Sequence, residues 1–103
     1  MRDSIIIDMK YADYDLIDGT PNIERHHCLL GQDRQKADED GLWVPLTPDH
    51  HRTGKVSAHN CKEIQRLLQM LAQVSWERDR CAEGMSKEDA RESFRKRYNK
   101  SYL

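Results

Sequence analysis

Five histidines, His26, His27, His50, His51 and His59, fall between positions 26 and 59 of a 103-residue chain. Imidazole is the commonest metal ligand among side chains and the usual general base near neutral pH. Three such groups drawn together would make a metal centre or a general-base site. Two pairs of adjacent histidines also occur as unconnected surface residues, and spacing alone leaves both readings open. Adjacent side chains on a strand point to opposite faces. On a strand, His26 and His27 therefore meet different surroundings, and one can bind a metal while the other holds a water.

The elements that must position these groups can be read from the chain. Residues 4–8 are a β-prone run, and residues 13–20 are acidic and turn-like, with Asp18-Gly19 as a hairpin tip. Residues 22–30 read as a strand carrying the first histidine pair. Residues 32–40 are polar and end at Gly41, a loop or one or two exposed helical turns. Residues 42–46, Leu-Trp-Val-Pro-Leu, are the best strand in the chain, with Pro45 confining it to an edge. Thr47-Pro48-Asp49 then has the pattern of a helix start, a hydroxyl cap followed by proline and an acid. Gly54 should end that helix within two turns.

Asn60 and Glu63 have capping-box spacing. Ile64, Leu67, Leu68, Leu71 and Val74 then fall on one helical face, expected to be the core face of a helix running to about Glu83 and stopping at Gly84. Ser86 begins a last helix anchored by Phe94, Tyr98 and Tyr102. Trp43 and Trp76 read as core residues. A β-rich front half with one short helix, followed by two longer helices, makes a single small α+β domain over residues 1–103.

Composition narrows the function classes. Hydrophobic residues are 37% of the chain and charged residues 34%, and no apolar run is long enough to span a membrane. Met1-Arg2-Asp3 leads into only three isoleucines before Asp8, so no secretory signal is expected. Net charge is −1, but it is unevenly spread: acids dominate up to residue 49 and bases dominate after it, which is compatible with a phosphate backbone and equally with solvated helix faces. Arg91, Arg95, Lys96, Arg97 and Lys100, interleaved with aromatics, form the basic patch. Cys28, Cys61 and Cys81 show no C-x-x-C spacing, which fits a reducing cytoplasm better than a disulfide framework.

The string Glu24-Arg25-His26-His27, the polar stretch after it, and Gly41-Leu42-Trp43-Val44-Pro45-Leu46-Thr47-Pro48-Asp49-His50-His51 together resemble the ββα-metal (His-Me finger) core of HNH nucleases. More narrowly, they resemble the small phage and prophage HNH-like proteins encoded among replication and recombination genes. The tail from Phe94 to Asn99-Lys100-Ser101-Tyr102-Leu103 is similar too, so the likeness spans nearly the whole chain from about Asp15. It implies a ββα-metal core over about residues 15–60, followed by two C-terminal helices. The His-His strand followed by Thr-Pro-x-x-His also resembles the nuclease domains of colicins.

By that resemblance His26, His51 and His59 bind a divalent ion (Mg, Mn, Ni or Zn), and His27 is the general base. Arg25 or Arg52 holds the scissile phosphate, since a guanidinium matches phosphate in a bidentate way. Arg52, Lys55, Arg95 and Arg97 are expected along the DNA. The sequence departs from the family at three points. Leu42 stands where HNH nucleases carry the asparagine that orients the base, with Asp40 and Asn60 as candidate stand-ins. His51 and His59 are eight residues apart with Gly54 between them. The structural-zinc slots of some relatives hold Asp15, Asp18, Thr47 and His50 here, which leaves His50 as a surface or hydrogen-bonding histidine.

The expected function is a metal-dependent DNA endonuclease in phage replication or recombination, in the cytoplasm of a bacterial host, with a homodimer as the assembly suited to cutting both strands. The alternative is a non-catalytic DNA- or protein-binding module on a degenerate HNH frame, whose partner is a host or phage protein.

Overall fold

The computed structural model describes residues 2–29 and 31–103. Its only sheet among them has two antiparallel strands, β1 (Glu24–His27) and β2 (Trp43–Leu46). The helices are α1 (Arg34–Asp40), α2 (Lys62–Ala82) and α3 (Lys87–Tyr98), with short 3-10 turns at Met9–Tyr11 and Gly31–Asp33 and one π-helical turn at Asp49–Thr53. This is an α+β chain, and none of its described helices is long and apolar enough to cross a membrane.

The ladder sets Glu24 opposite Leu46, Arg25 opposite Pro45, His26 opposite Val44 and His27 opposite Trp43. In a two-stranded sheet both strands are edges, so Pro45 costs no interior hydrogen bond; its carbonyl accepts from Leu16 N–H at 2.9 Å. β1 is shorter than the expected strand over residues 22–30, and Leu30 lies outside the described residues. Residues 4–8 do not form a strand. The Ser4 hydroxyl donates to the Trp43 carbonyl at 2.7 Å and Ile5 N–H to the Gly41 carbonyl at 3.0 Å, so this segment runs beside the start of β2 without a ladder. Residues 15–19 do turn, but as a closed loop with Gly19 N–H donating to the Asp15 carbonyl, not as the tip of a hairpin.

α1 is the short helix that residues 32–40 allow, although it is not wholly exposed, because Ala37 and Asp40 are buried. It ends at Gly41, whose φ of 72° lets its N–H close on the Ala37 and Asp38 carbonyls. A Cβ on Gly41 would also collide with the Asp3 carbonyl. The Asp40 carboxylate then gathers the C-terminal helices. One of its oxygens accepts from Trp76 Nε1 at 3.1 Å, Arg97 Nε at 2.6 Å and the Tyr98 hydroxyl at 2.5 Å. Arg97 supplies the counter-charge that a buried carboxylate requires. Burial and the adjacent Asp40 charge raise the Tyr98 pKa.

The core contains Leu29, Leu42, Val44, Leu46, Leu68, Ala72, Trp76, Phe94 and Tyr98, so it joins both halves of the chain. Phe94, Tyr98 and Tyr102 are buried as expected, and the Phe94 ring lies 4.7 Å from Tyr98 and 5.5 Å from Trp76. Ser86 caps α3, its hydroxyl accepting from Asp89 N–H. The C-terminal end of α2 also matches the sequence, with Gly84 at a φ of 106° just beyond it.

Two expectations for α2 are overturned. Asn60 does not cap it: its amide donates to the carbonyls of Arg52 at 2.8 Å and Gly54 at 3.0 Å, and Cys61 is the cap residue, without a side-chain bond. The core face is also rotated. Leu68, Ala72 and Trp76 point inward, whereas Leu67 is 61% exposed, Val74 49% and Leu71 37%. Leu68→Ala should therefore lower the unfolding free energy by about 2–3 kcal/mol. Leu67→Ala, in dilute protein, should change it by less than about 0.5 kcal/mol. Urea denaturation of the two variants measures the difference, and equal losses would place the core on the other face.

Candidate metal centre

His26 enters from β1, where the pleat turns it inward, and its ring is 1% exposed with both nitrogens lacking a hydrogen-bond partner. A buried imidazole with no partner carries a desolvation cost that native structures normally avoid. What surrounds it are two further imidazoles. The His51 ring lies 5.2 Å from His26, His59 lies 5.4 Å from it, and His51 and His59 are 4.8 Å apart, centroid to centroid.

The segment after β2 brings the last two histidines together. His51 sits in the π-helical turn Asp49–Thr53, a type of turn frequent at functional sites. Two backbone bonds fold the following loop back on that turn, from Ala58 N–H to the His50 carbonyl at 2.7 Å and from His59 N–H to the His51 carbonyl at 3.1 Å. This is how residues eight apart, with a glycine between, come to share one point without a common helix. Gly54 is required there, because a Cβ would lie 2.6 Å from the carbonyl and carboxylate oxygens of Asp49. The Thr47 hydroxyl does not cap the turn as expected; its N–H is taken by Asp15, and the turn starts at Pro48 without a side-chain cap.

One nitrogen from each of His26, His51 and His59 lies within 4.8 Å of the others. Three nitrogens on one tetrahedral ion stand about 3.3 Å apart, so small side-chain rotations would suffice to hold it. The donor set fits a borderline transition ion better than Mg, which prefers oxygen ligands. Glu24 completes the arrangement. It accepts from His51 Nδ1 at 2.9 Å, which leaves His51 Nε2 for an ion, and it is clamped by Arg52 through two bonds of 2.9 Å. A carboxylate behind a ligand histidine fixes its tautomer and raises its basicity. Arg52 and His51 hold the Glu24 carboxyl at about 2, so it stays ionised.

Two of the imidazoles, His26 and His59, are biased toward the neutral form that a metal needs. Burial, then the His51, His59 and His27 rings, push the His26 pKa down to about 3. Burial, His51 and Arg52 lower that of His59.

His27 does not join this cluster. Its ring lies on the other side of β1, with Nε2 3.2 Å from Asp38 on α1, in a cleft also lined by Gly31, Gln32, Arg34 and Gln35. Neither Asp40 nor Asn60, the residues expected to orient His27, reaches it: Asp40 binds the helices and Asn60 binds the 52–54 loop. The carboxylate beside His27 is that of Asp38. Arg25 lies over the Trp43 ring at 4.4 Å. Among the residues expected along DNA, Arg52 is paired with Glu24, Arg95 with Glu92 and Arg97 with Asp40 and Glu39, while Lys55 is exposed. Glu24 and Asp38 are the carboxylate partners of His51 and His27 that sequence reasoning did not assign. Their histidines are 27 and 11 residues away, and no spacing rule connects them.

Asp15, Asp18 and His50 form a second group of possible ligands. Here the Asp15 carboxylate is already saturated. It accepts from Thr47 N–H at 2.6 Å, Ile17 N–H at 2.7 Å, His50 Nδ1 at 2.9 Å and Asp18 N–H at 3.1 Å. Burial works against ionisation of Asp15, but these bonds outweigh it and hold the pKa at about 2. His50 is therefore a hydrogen-bonding histidine, its pKa raised chiefly by the bond to Asp15. This network ties the 15–19 turn to the end of β2.

Comparison with known proteins finds no matching family model, no matching curated protein and no matching solved structure.

The two histidine environments give opposite pH dependences in metal-free protein. His26 is neutral in the fold down to about 3, whereas the unfolded chain takes up that proton near its ordinary value of about 6.5. Between these values the unfolded state binds more protons, so stability falls as pH drops. His26→Phe should flatten that fall. His50 has a raised pKa, so its contribution is complete below about 6.5 and is lost as pH rises through its folded value. His50→Gln should leave the acid side unchanged and remove the loss that sets in as pH rises through the raised value. Urea midpoints measured across the pH range with a chelator present separate the two.

Proposed function

We propose that the chain is a metal-dependent DNA endonuclease of the HNH type, with its divalent ion held by His26, His51 and His59 in a ββα-metal core. The observation that carries the reading is the convergence of three imidazoles around a buried, partnerless His26. The order of elements, a histidine-bearing strand, a second strand and a histidine-bearing turn, agrees with the resemblance to small phage HNH-like proteins.

A divalent ion bound there would supply Lewis-acid stabilisation of charge on a phosphodiester oxygen. In this reading the chain's own residues do the rest. Glu24 orients His51, and Arg52, beside the ligands, is the guanidinium for the phosphate, leaving Glu24 to do so. His27, in its tautomer set by Asp38, accepts the proton of the attacking water.

A second reading, a non-catalytic binding module on the same frame, is favoured by a single observation: His27 is tied to Asp38 on the far side of β1 from the three imidazoles.

Calorimetric titration with Zn, Ni and Mn should give one ion per chain, lost in His51→Ala. Glu24→Gln should weaken binding about 10- to 100-fold, as removal of a carboxylate behind a ligand does. Absence of binding by the wild type would end the metal reading. With the metal present, linear and branched DNA should be cut, and His27→Ala should reduce the rate by about 10²-fold or more while metal affinity holds. Metal binding without cleavage would select the binding module.

A further inference from the structure

We propose that the cleft beside His27 is a binding site for a phosphate of a nucleic-acid strand, held by Arg34 with the Gln32 and Gln35 amides beside it. The cleft has a volume of about 570 Å³. Buried His27 forms one wall, and the segment from Gly31 to Asp38 forms the other. Among the described residues the lining holds no aliphatic side chain and no ring besides the imidazole. It therefore lacks the apolar walls that enclose a small apolar ligand and the aromatic platform on which a base stacks. What it offers are hydrogen-bond donors.

Arg34 stands apart from the other arginines. Each of those, among the described residues, has a carboxylate, a carbonyl or an aromatic ring as partner. Arg34 is exposed and has no such partner among the described residues. The helix itself explains why. The natural partner of Arg34 on α1 is the carboxylate four residues on, Asp38. That carboxylate is turned to His27 instead, with Oδ1 3.2 Å from Nε2. The guanidinium is thus left at the cleft with its donors unengaged. The side chains of Gln32 and Gln35, also exposed, make no hydrogen bond among the described residues either.

A guanidinium fork matches two phosphate oxygens at once, and carboxamide N–H groups can donate to the others. Asp38 sets a negative charge against the positive charge of Arg34 in the same lining, so the cleft attracts a lone anion weakly. It suits one phosphate of a strand that the protein also holds at other points, where linkage raises the effective concentration. Taking a nucleic-acid strand as the source of the phosphate rests on the endonuclease reading; the contact itself needs no metal.

Fluorescence anisotropy of a short labelled single strand of DNA, with a chelator present, tests the site. Arg34→Ala should weaken binding about tenfold, as loss of a charge-assisted bond does. It should also flatten the slope of log affinity against log salt by about 0.7, the share of one phosphate contact in a single strand. Gln35→Ala removes no charge and should still weaken binding about two- to fivefold. Arg34→Lys, which keeps the charge and the helix propensity, should keep the salt slope and lose affinity about threefold; it carries the test if Arg34→Ala lowers helix content by circular dichroism. A wild type that does not bind the strand without metal overturns the inference, and so does wild-type affinity in either Arg34→Ala or Gln35→Ala. Displacement of the strand by micromolar inorganic phosphate also overturns it, marking a free-phosphate site. Zn titration of the same variants keeps two failures apart. A false cleft leaves the ion bound at the three imidazoles, and a false metal centre leaves the loss of strand binding in Arg34→Ala.

Discussion

The arrangement of this chain depends on one buried carboxylate oxygen. Asp40 Oδ2 receives Trp76, Arg97 and Tyr98, and so fixes α2 and α3 against the end of α1. Gly41 follows at once and turns the chain into β2, whose register with β1 sets His26 opposite Val44. The position of the innermost histidine is thus inherited from a contact made by the C-terminal helices. A two-stranded sheet of four-residue strands would not hold such a position alone. The Asp40 cluster supplies the rigidity that the sheet lacks, with Arg97 keeping its charge compensated in a low-dielectric setting.

Local signals in the sequence were enough for much of this fold. Gly41, Gly84 and Ser86 mark ends and starts that the backbone obeys, because each acts through a bond to its own neighbours. The strand at Trp43–Leu46 is legible for the same reason, an apolar run bounded by turn residues. The misreadings arise where a distant group competes. Thr47 would cap a helix, but Asp15 claims its N–H. Asn60 would cap α2, but the carbonyls of Arg52 and Gly54 claim its amide. On α2 the larger apolar residues suggested the wrong face. The buried face takes Ala72 and Trp76 with Gln73 and Ser75, whose polar groups are satisfied locally or by the C-terminal tail.

For the candidate site, residue types were legible and their partners were not. The clustering of histidines in sequence pointed only to a metal or general-base site, the resemblance to HNH nucleases singled out His26, His51 and His59, and these three do converge. The opposite-face argument for His26 and His27 also describes the strand correctly, since one ring faces two imidazoles and the other faces Asp38. Glu24 and Asp38 come from pairings across the fold. The Asp15 and His50 pair shows how the same residue types serve a different end: a carboxylate with every lone pair engaged is a brace between two segments.

The folded-back loop between His51 and His59 has a further consequence for the chain as a polymer. An ion shared by these residues and His26 would be a three-way covalent-like cross-link, tying a strand to a loop that begins 25 residues later. Closing such loops removes conformations from the unfolded chain, as a disulfide does, and the effect grows with the length enclosed. Cys28, Cys61 and Cys81 are all free thiols. The tether that this small chain does not make with sulfur is within reach of its nitrogens, in a form that a chelator could untie.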